Sequence, residues 1–492
     1  GAVLDQRLAD KGQGAMAGQG RSFMNTPLVI AMPRPMAEAL GWPQAEIGWA
    51  DVLELTENPE GWGAYGHPEW GEFRLGKTNP NFSTSGLSAL IAQNYAAVGK
   101  TKDLTLEDLD RPEVVDFNRA IESSVVHYGD TTLTFLNNWY RADQRNAAMQ
   151  YVSAAAVEEK SIIDYNSGNP DGILEIGEDP PPPRGPLVAT YPKAGPLYSD
   201  NPLYVLDAPW VDADERAGAE RFVDFVLQPD NQQRVLEFNF RPGNPAGGGG
   251  PPVGGANGVD PEHPRAVLGV PSPPVLVRII DNWNEQRKEA RVLLVLDVSG
   301  SMGDPAESGS ATTKLDLAQQ AILESLDQFA PGDLVGLRIF STGLGPDRQA
   351  QWLDLVPMEP ISTNREGLSS AIRGLSPTYG TPLYDVISAS FQEMVDDYDP
   401  ERINAVVVLS DGRNEDGNPG DDQAQLNALI AQLESQSQGE NATPVRLFTI
   451  AYGDDADLTE LRRLAEATNG AAYNSTDPRS IIKVFTAVIS NF

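Results

Sequence analysis

The chain has 492 residues, 70 acidic against 36 basic side chains, a formal charge of −34 and no cysteine. Without thiols there is no disulfide, thiolate metal centre or cysteine nucleophile. So negative a field repels phosphate backbones and anionic lipid and draws in divalent cations, which argues against nucleic acid as a partner. The length suits about three domains or two large ones. His67, His127 and His263 are too scattered in sequence to suggest a histidine-built zinc centre. No apolar run approaches the roughly 20 residues of a membrane helix, so any membrane association would come through an anchor not present in this chain.

Residues 3–11 read as a short helix followed by glycine-rich sequence. Residues 27–32, 154–157 and 187–191 are short apolar runs and predict strands, while 87–98, 112–127 and 214–227 have helical character. Ahead of the first of these helices, Gly76-Lys77-Thr78-Asn79-Pro80 and Ser83-Thr84-Ser85-Gly86 put hydroxyls and free N–H groups at a helix start. That geometry suits a polar or anionic solute, although an ordinary capped helix uses the same residues. Trp42, Trp49, Trp62, Trp70, Trp139 and Trp210 crowd this half, as core or as surfaces on which flat ligands stack. The prolines 180–183 form a stiff spacer.

Thr26-Pro27-Leu28-Val29-Ile30-Ala31, the 78–86 segment, Glu158-Glu159-Lys160-Ser161, Ala189-Thr190-Tyr191-Pro192-Lys193, Ala208-Pro209-Trp210 and Phe240-Arg241-Pro242 together resemble bacterial extracellular solute-binding proteins. The resemblance implies a two-lobed, type II periplasmic-binding-like α/β region over 1–242. A small polar solute would lie against Ser83, Thr84, Ser85 and Gly86, with Tyr191 opposite. A complete example opens with a strand and helix that wall the cleft, so the helical 3–11 implies a first lobe incomplete at its N-terminus.

Residues 243–271 are rich in glycine and proline and predict a linker. The following stretch, 272–290, is helical by pattern. Val275, Ile279 and Trp283 recur every four residues, a stripe expected to dock on the C-terminal domain.

The apolar run 292–296 is a buried parallel strand by pattern, and it leads into Asp297-Val298-Ser299-Gly300-Ser301. Ligands of open α/β sheets bind at the carboxyl ends of strands, and oxygen donors at alternate positions suit a hard cation. A second strand, 405–409, ends in Ser410-Asp411, and Gly380-Thr381-Pro382 opens a helix over 383–395. A capping serine would explain one hydroxyl but not the whole set. Asp297, Ser299, Ser301, Thr381 and Asp411 resemble the metal-ion-dependent adhesion site of von Willebrand factor A domains, a resemblance covering 291–492. It implies a doubly wound, Rossmann-like fold and Mg²⁺, with Mn²⁺ or Ca²⁺ as alternatives. The hydroxyls of Ser299, Ser301 and Thr381 would then reach the ion directly or through water, and Asp297 and Asp411 would act mostly from behind them. An acidic side chain of a protein partner would complete the coordination.

Asp304, Glu307, Glu415, Asp416, Asp421 and Asp422 lack the spacing of a calcium loop, and the 417–420 segment reads as a solvated polar loop. No Ser-His-Asp set, nucleotide loop or carboxylate pair stands out, so the expectation is a binding protein and no enzyme. It would be an exported or surface-located bacterial adhesin, or alternatively a solute receptor of a transport-type system with the C-terminal domain as its docking module.

Overall fold

The computed structural model describes residues 8–9, 11–14, 16, 19–173, 179–244, 246, 249–307, 309–417, 421–437 and 443–492. Most of the expected 3–11 helix, three residues of the 243–271 linker and the 418–420 part of the polar loop lie outside the described residues. The chain divides into two compact units: Gly1–Val125 with Thr131–Gln286, and Val126–Asp130 with Arg287–Phe492. Both are mixed α/β.

In the first unit, the apolar run 27–32 is the buried half of a longer strand, β1 (Arg21–Pro33). The next strands are β2 (Leu75–Thr78), β4 (Ala154–Glu158), β5 (Leu187–Thr190), β6 (Tyr198–Leu203) and β7 (Arg241–Pro242), and between β2 and β4 in the chain runs β3 (Val125–Gly129), of which Val125 alone is grouped with this unit. β1 pairs antiparallel with β4, from Leu28 opposite Glu158 to Ala31 opposite Ala155, and with β5 on its other edge. β2 runs parallel to β4, and the outer half of β1 takes β6 and β7. The helix expected over 112–127 stops at Ser123. The β-branched pair Val125 and Val126 then continues as β3, where their side chains fit an extended backbone better than a helix. Trp49, Trp62, Trp70 and Trp139 are core residues, and Trp210 is exposed.

Two expectations about the middle of the chain are corrected. Among its described residues the glycine-proline stretch forms no strand, and its short 3-10 turn Gly255–Asn257 belongs to a segment that packs within the first unit. Val253, Val259 and Leu268 are buried. The Gly258 carbonyl accepts from the Ala189 N–H at 2.8 Å, and Asn166 Nδ2 donates to the Asn257 carbonyl at 3.0 Å. The helix that follows, Pro273–Gln286, buries Val275, Ile279 and Trp283 as its spacing predicts. It buries them within the first unit, and the reason is polar. Trp283 Nε1 donates to Glu122 Oε2 at 3.1 Å, Glu122 is paired with the fully buried Lys77, and Arg278 reaches Asp110 at 2.7 Å.

The second unit is a six-stranded sheet in the order β10-β9-β8-β11-β12-β13. Its strands are β8 (Ala290–Asp297), β9 (Leu334–Leu344), β10 (Ala350–Pro360), β11 (Ile403–Ser410), β12 (Val445–Tyr452) and β13 (Ala472–Ser475). Only the edge strand β10 is antiparallel. Every residue of β8, β11 and β12 is buried, as strands covered on both faces require. On one face, Leu293, Val295, Val406 and Val408 pack against Val386, Ile387 and Phe391 of the helix Leu383–Asp396 and Leu426, Leu429 and Leu433 of the next. Strand order reverses between β8 and β11, a topological switch point, and the loops leaving those two strands diverge there to open a crevice.

Candidate functional site

Asp297 is the last residue of β8, and Ser410 the last of β11. In register, Leu296 lies opposite Leu409, so the residues that follow, Asp297 and Ser410 with Asp411, emerge side by side at the crevice. Asp297 is fully buried, with both oxygens engaged: Oδ1 accepts from the Ser299 N–H at 2.8 Å and Oδ2 from the Ser410 hydroxyl at 2.6 Å. Burial, then repulsion from Asp411, pushes its carboxyl up to about 7, against the pull of the Ser299 and Ser410 hydrogen bonds. Asp411 is engaged too: Oδ1 accepts from the Ser301 hydroxyl at 2.8 Å, and Oδ2 from Lys314 Nζ at 2.9 Å. Ser299 Oγ and Ser301 Oγ are 3.2 Å apart.

Thr381 arrives from a separate loop held from two sides. Gly300 N–H donates to the Tyr379 carbonyl at 2.7 Å, and Thr378 N–H to the Val298 carbonyl at 2.7 Å, tying the loop to the Asp297 turn. The end of β9 holds the other side, where the Thr342 N–H donates to the Gly380 carbonyl and the Tyr379 N–H donates to Ser341 Oγ. The Thr381 carbonyl then accepts from Glu415 N–H at 2.7 Å, joining it to the loop after Asp411. Hydrogen bonds thus link Asp297 to Ser299 and Ser301 to Asp411, and Thr381 stands on a loop tied to the turns that follow both carboxylates.

Ser301, Thr381 and Asp411 line an open cleft of about 550 Å³ together with Tyr379 and Gly412, while Asp297 and Ser299 are buried and outside its lining. Its rim carries Glu415, Asp454, Asp455 and Asp457 against a single cation, Arg413. Among the described residues no three His, Cys, Asp or Glu side chains gather into a metal cluster. The donor set is instead three hydroxyls with two carboxylates behind them. Such oxygens fit a hard divalent cation, and hydroxyls that donate backwards to a carboxylate keep lone pairs for an ion in front. Two participants escaped sequence reasoning, Ser410 and Lys314. Lys314 left a signal, since a cation in the first turn of a helix opposes the helix dipole.

In the first unit the predicted solute-site residues have different hydrogen-bond partners. Thr78, Ser83, Ser85 and Thr132 form a hydroxyl chain at the start of the helix Thr84–Val98, with Thr78 Oγ1 to Ser83 Oγ at 2.8 Å, Ser83 to Ser85 at 2.9 Å and Ser85 to Thr132 at 2.6 Å. Thr132 passes it on to Glu158 Oε2 at 3.3 Å. Thr84 is exposed, and Gly86 is buried so tightly that a Cβ there would meet the Thr78 carbonyl at 2.2 Å. Tyr191 spends its hydroxyl elsewhere, donating to Glu159 Oε2 at 2.5 Å and accepting from Asp260 N–H at 3.0 Å. Glu159 in turn takes a two-pronged ion pair from Arg241.

Residues 4–241 match the family of bacterial extracellular solute-binding proteins, and residues 292–414 the von Willebrand factor type A domain. Solved structures similar to the chain include a von Willebrand factor type A protein from Catenulispora acidiphila, at 20% identity over 42% of each chain with a TM-score of 0.33. Proximal thread matrix protein 1 from the mussel byssus, in a form with a zinc-occupied MIDAS motif, is similar at 18% identity, TM-score 0.30, over 41% of this chain and 47% of that one. The ArnB paralog VWA2 from Sulfolobus acidocaldarius follows at 19% identity and TM-score 0.29, over 41% and 44%. The chain thus spans less than half the length of these three proteins. No curated protein matches it. The chain joins a solute-binding region to a von Willebrand factor A domain.

Proposed function

We propose that the second unit binds a protein partner through a divalent cation held by Ser299, Ser301 and Thr381 and backed by Asp297 and Asp411. The observation that carries this reading is the occupancy of the carboxylates: all four oxygens of Asp297 and Asp411 already accept hydrogen bonds from the protein. They hold the Ser301 hydroxyl and the Ser299 backbone in place and leave a cation short of ligands on the cleft side. Mg²⁺ suits this set best, with Mn²⁺ or Ca²⁺ as alternatives, since hard oxygens favour hard ions. A bound ion would supply an electrophilic point for a carboxylate, and the protein's residues orient and hold it. The acidic rim adds selectivity, favouring a carboxylate that sits among basic residues on the partner. We read the protein as a binder and not a catalyst, and place it outside the cytoplasm, as the solute-binding match supports.

A second reading makes the first unit the working part, a receptor for a small polar solute with the A-type unit as a docking module. The hydroxyl chain from Thr78 to Glu158 favours it. Calorimetry on the full chain separates the two. Heat with Mg²⁺ that vanishes in Asp297→Ala supports the adhesion reading. No Mg²⁺ heat, with saturable heat from a polar solute lost in Ser85→Ala, supports the receptor.

A further inference from the structure

Lys314 breaks the local rule for a helix start. It opens the helix Lys314–Ser325, where unpaired N–H groups and the dipole favour an acidic residue. Its side chain is only 9% exposed, and lysine is seldom so buried without a partner. That partner is Asp411 Oδ2, 2.9 Å away, while Asp455 Oδ2 on the cleft rim lies at 4.0 Å. The backbone beneath it is pinned. Tyr452 donates its hydroxyl to the Lys314 carbonyl at 2.7 Å, and the Lys314 N–H donates to the Asp304 carbonyl at 3.0 Å. Gly453, at φ +77°, leaves room for the ammonium, since a Cβ there would stand 3.3 Å from Nζ. The lysine is therefore placed, and its one close polar partner is a carboxylate of the proposed cation centre.

We infer that Lys314 is a positioning residue: a fixed counter-charge that holds Asp411 behind Ser301 and leaves part of the cation's charge unmatched for the partner's carboxylate. The inference rests on the cation-centre reading above. Charge decides the sign. Asp297 and Asp411 bring two negative charges and Lys314 returns one positive, so the protein offers a net single negative charge to a divalent ion. One carboxylate from outside then restores neutrality. Without the ammonium, Asp411 Oδ2 loses its donor and is released toward the ion, the protein's own charge matches the ion's, and the electrostatic demand for an acidic partner falls. Lys314 thus trades affinity for the metal against affinity for the partner.

The test uses the full chain in three forms, parent, Lys314→Met and Lys314→Arg, each titrated with Mn²⁺ alone and read from the electron paramagnetic resonance signal of free Mn²⁺. Acetate is then added to the Mn²⁺-loaded protein, and the loss of water relaxation enhancement reports displacement of metal-bound water. The expected result is Mn²⁺ binding about tenfold tighter in Lys314→Met, the direction that removal of a nearby like charge dictates, with acetate binding several-fold weaker. Lys314→Arg keeps the charge and behaves as the parent. If Lys314→Met fails to fold, Lys314→Gln takes its place with the same expectation. Mn²⁺ affinity equal to or below the parent's in a folded neutral variant overturns the role of the lysine alone. No Mn²⁺ binding in any form overturns the cation centre itself, and the lysine's role with it.

Discussion

Replacing Asp297 by Asn removes a buried charge without removing much shape. The Asn carbonyl can still accept from the Ser299 N–H, and its amide can donate to the Ser410 hydroxyl that now donates to Asp297. In the metal-free protein the carboxyl is raised from 3.8 to about 7 by burial first and by Asp411 second. The sign follows from linkage. A carboxyl whose folded value lies above its unfolded one contributes its full stability below the unfolded value, near pH 4, and loses it as pH rises to about 7. The shift spans about 3 pH units at about 1.4 kcal/mol each, so the loss reaches a ceiling of about 4 kcal/mol above neutrality. Asn does not titrate, so Asp297→Asn gains on the parent across that window. For a unit of this size each kcal/mol moves the midpoint by about 2–4 °C. Thermal unfolding in EDTA is the assay, followed at the transition that Mg²⁺ shifts in the parent. The variant-minus-parent difference should grow by as much as about 8–16 °C between pH 4 and pH 8. Mg²⁺ should then restore the parent at pH 8, since an ion that binds only the native state stabilises it by mass action, and it should leave the variant unmoved. A difference that stays flat with pH refutes the reasoning, because other titrating groups are common to both proteins.

Thr381→Ala should weaken binding of an acidic peptide more than binding of Mn²⁺, since Thr381 sits on a loop anchored to the Glu415 side of the cleft. Parallel titrations with equal losses would argue against that. Lys77→Met should destabilise the first unit by about 3–5 kcal/mol, because Glu122, 1% exposed, then loses its buried ion pair with Lys77. Pairing it with Glu122→Leu in denaturant unfolding should recover part of the loss. Gly86→Ala should lower the stability of the first unit by more than 1 kcal/mol, the Cβ having no space against the Thr78 carbonyl. A neutral outcome in the same assay would mean the helix start can shift.

What the sequence discloses about this molecule follows from how local each signal is. The 292–296 run and the Asp297 to Ser301 cluster are contiguous, so their strand, their loop and their place at a sheet edge are legible together. Thr381 and Asp411 are remote from that cluster, and only the resemblance to a known constellation connects them to it. Lys314 and Ser410 look like a surface helix residue and a strand end. Their contacts with Asp411 and Asp297 depend on the register of β8 and β11, which no local pattern encodes. Periodicity likewise shows that Val275, Ile279 and Trp283 face something buried. It cannot say that the surface belongs to the first unit, a choice made by Glu122, more than 150 positions away. The described residues of the glycine-proline stretch hold no strand, and its anchors Val253, Val259 and Leu268 have no period by which to be recognised.

The five residues Val126–Asp130 belong by their contacts to the second unit, and the Tyr128 N–H donates to the Asn491 carbonyl at 3.1 Å. The polypeptide therefore passes between the units at three places, after Val125, after Asp130 and after Gln286. A protease that nicks the chain near residue 287 cuts one of three tethers and frees neither piece. A gene fragment beginning there encodes an A-type unit that lacks a strand segment and leaves the Asn491 carbonyl without its donor. Such a pair does not behave as beads on a string, to be shuffled by recombination at a single crossover. Here a piece of the second unit is encoded inside the stretch that encodes the first.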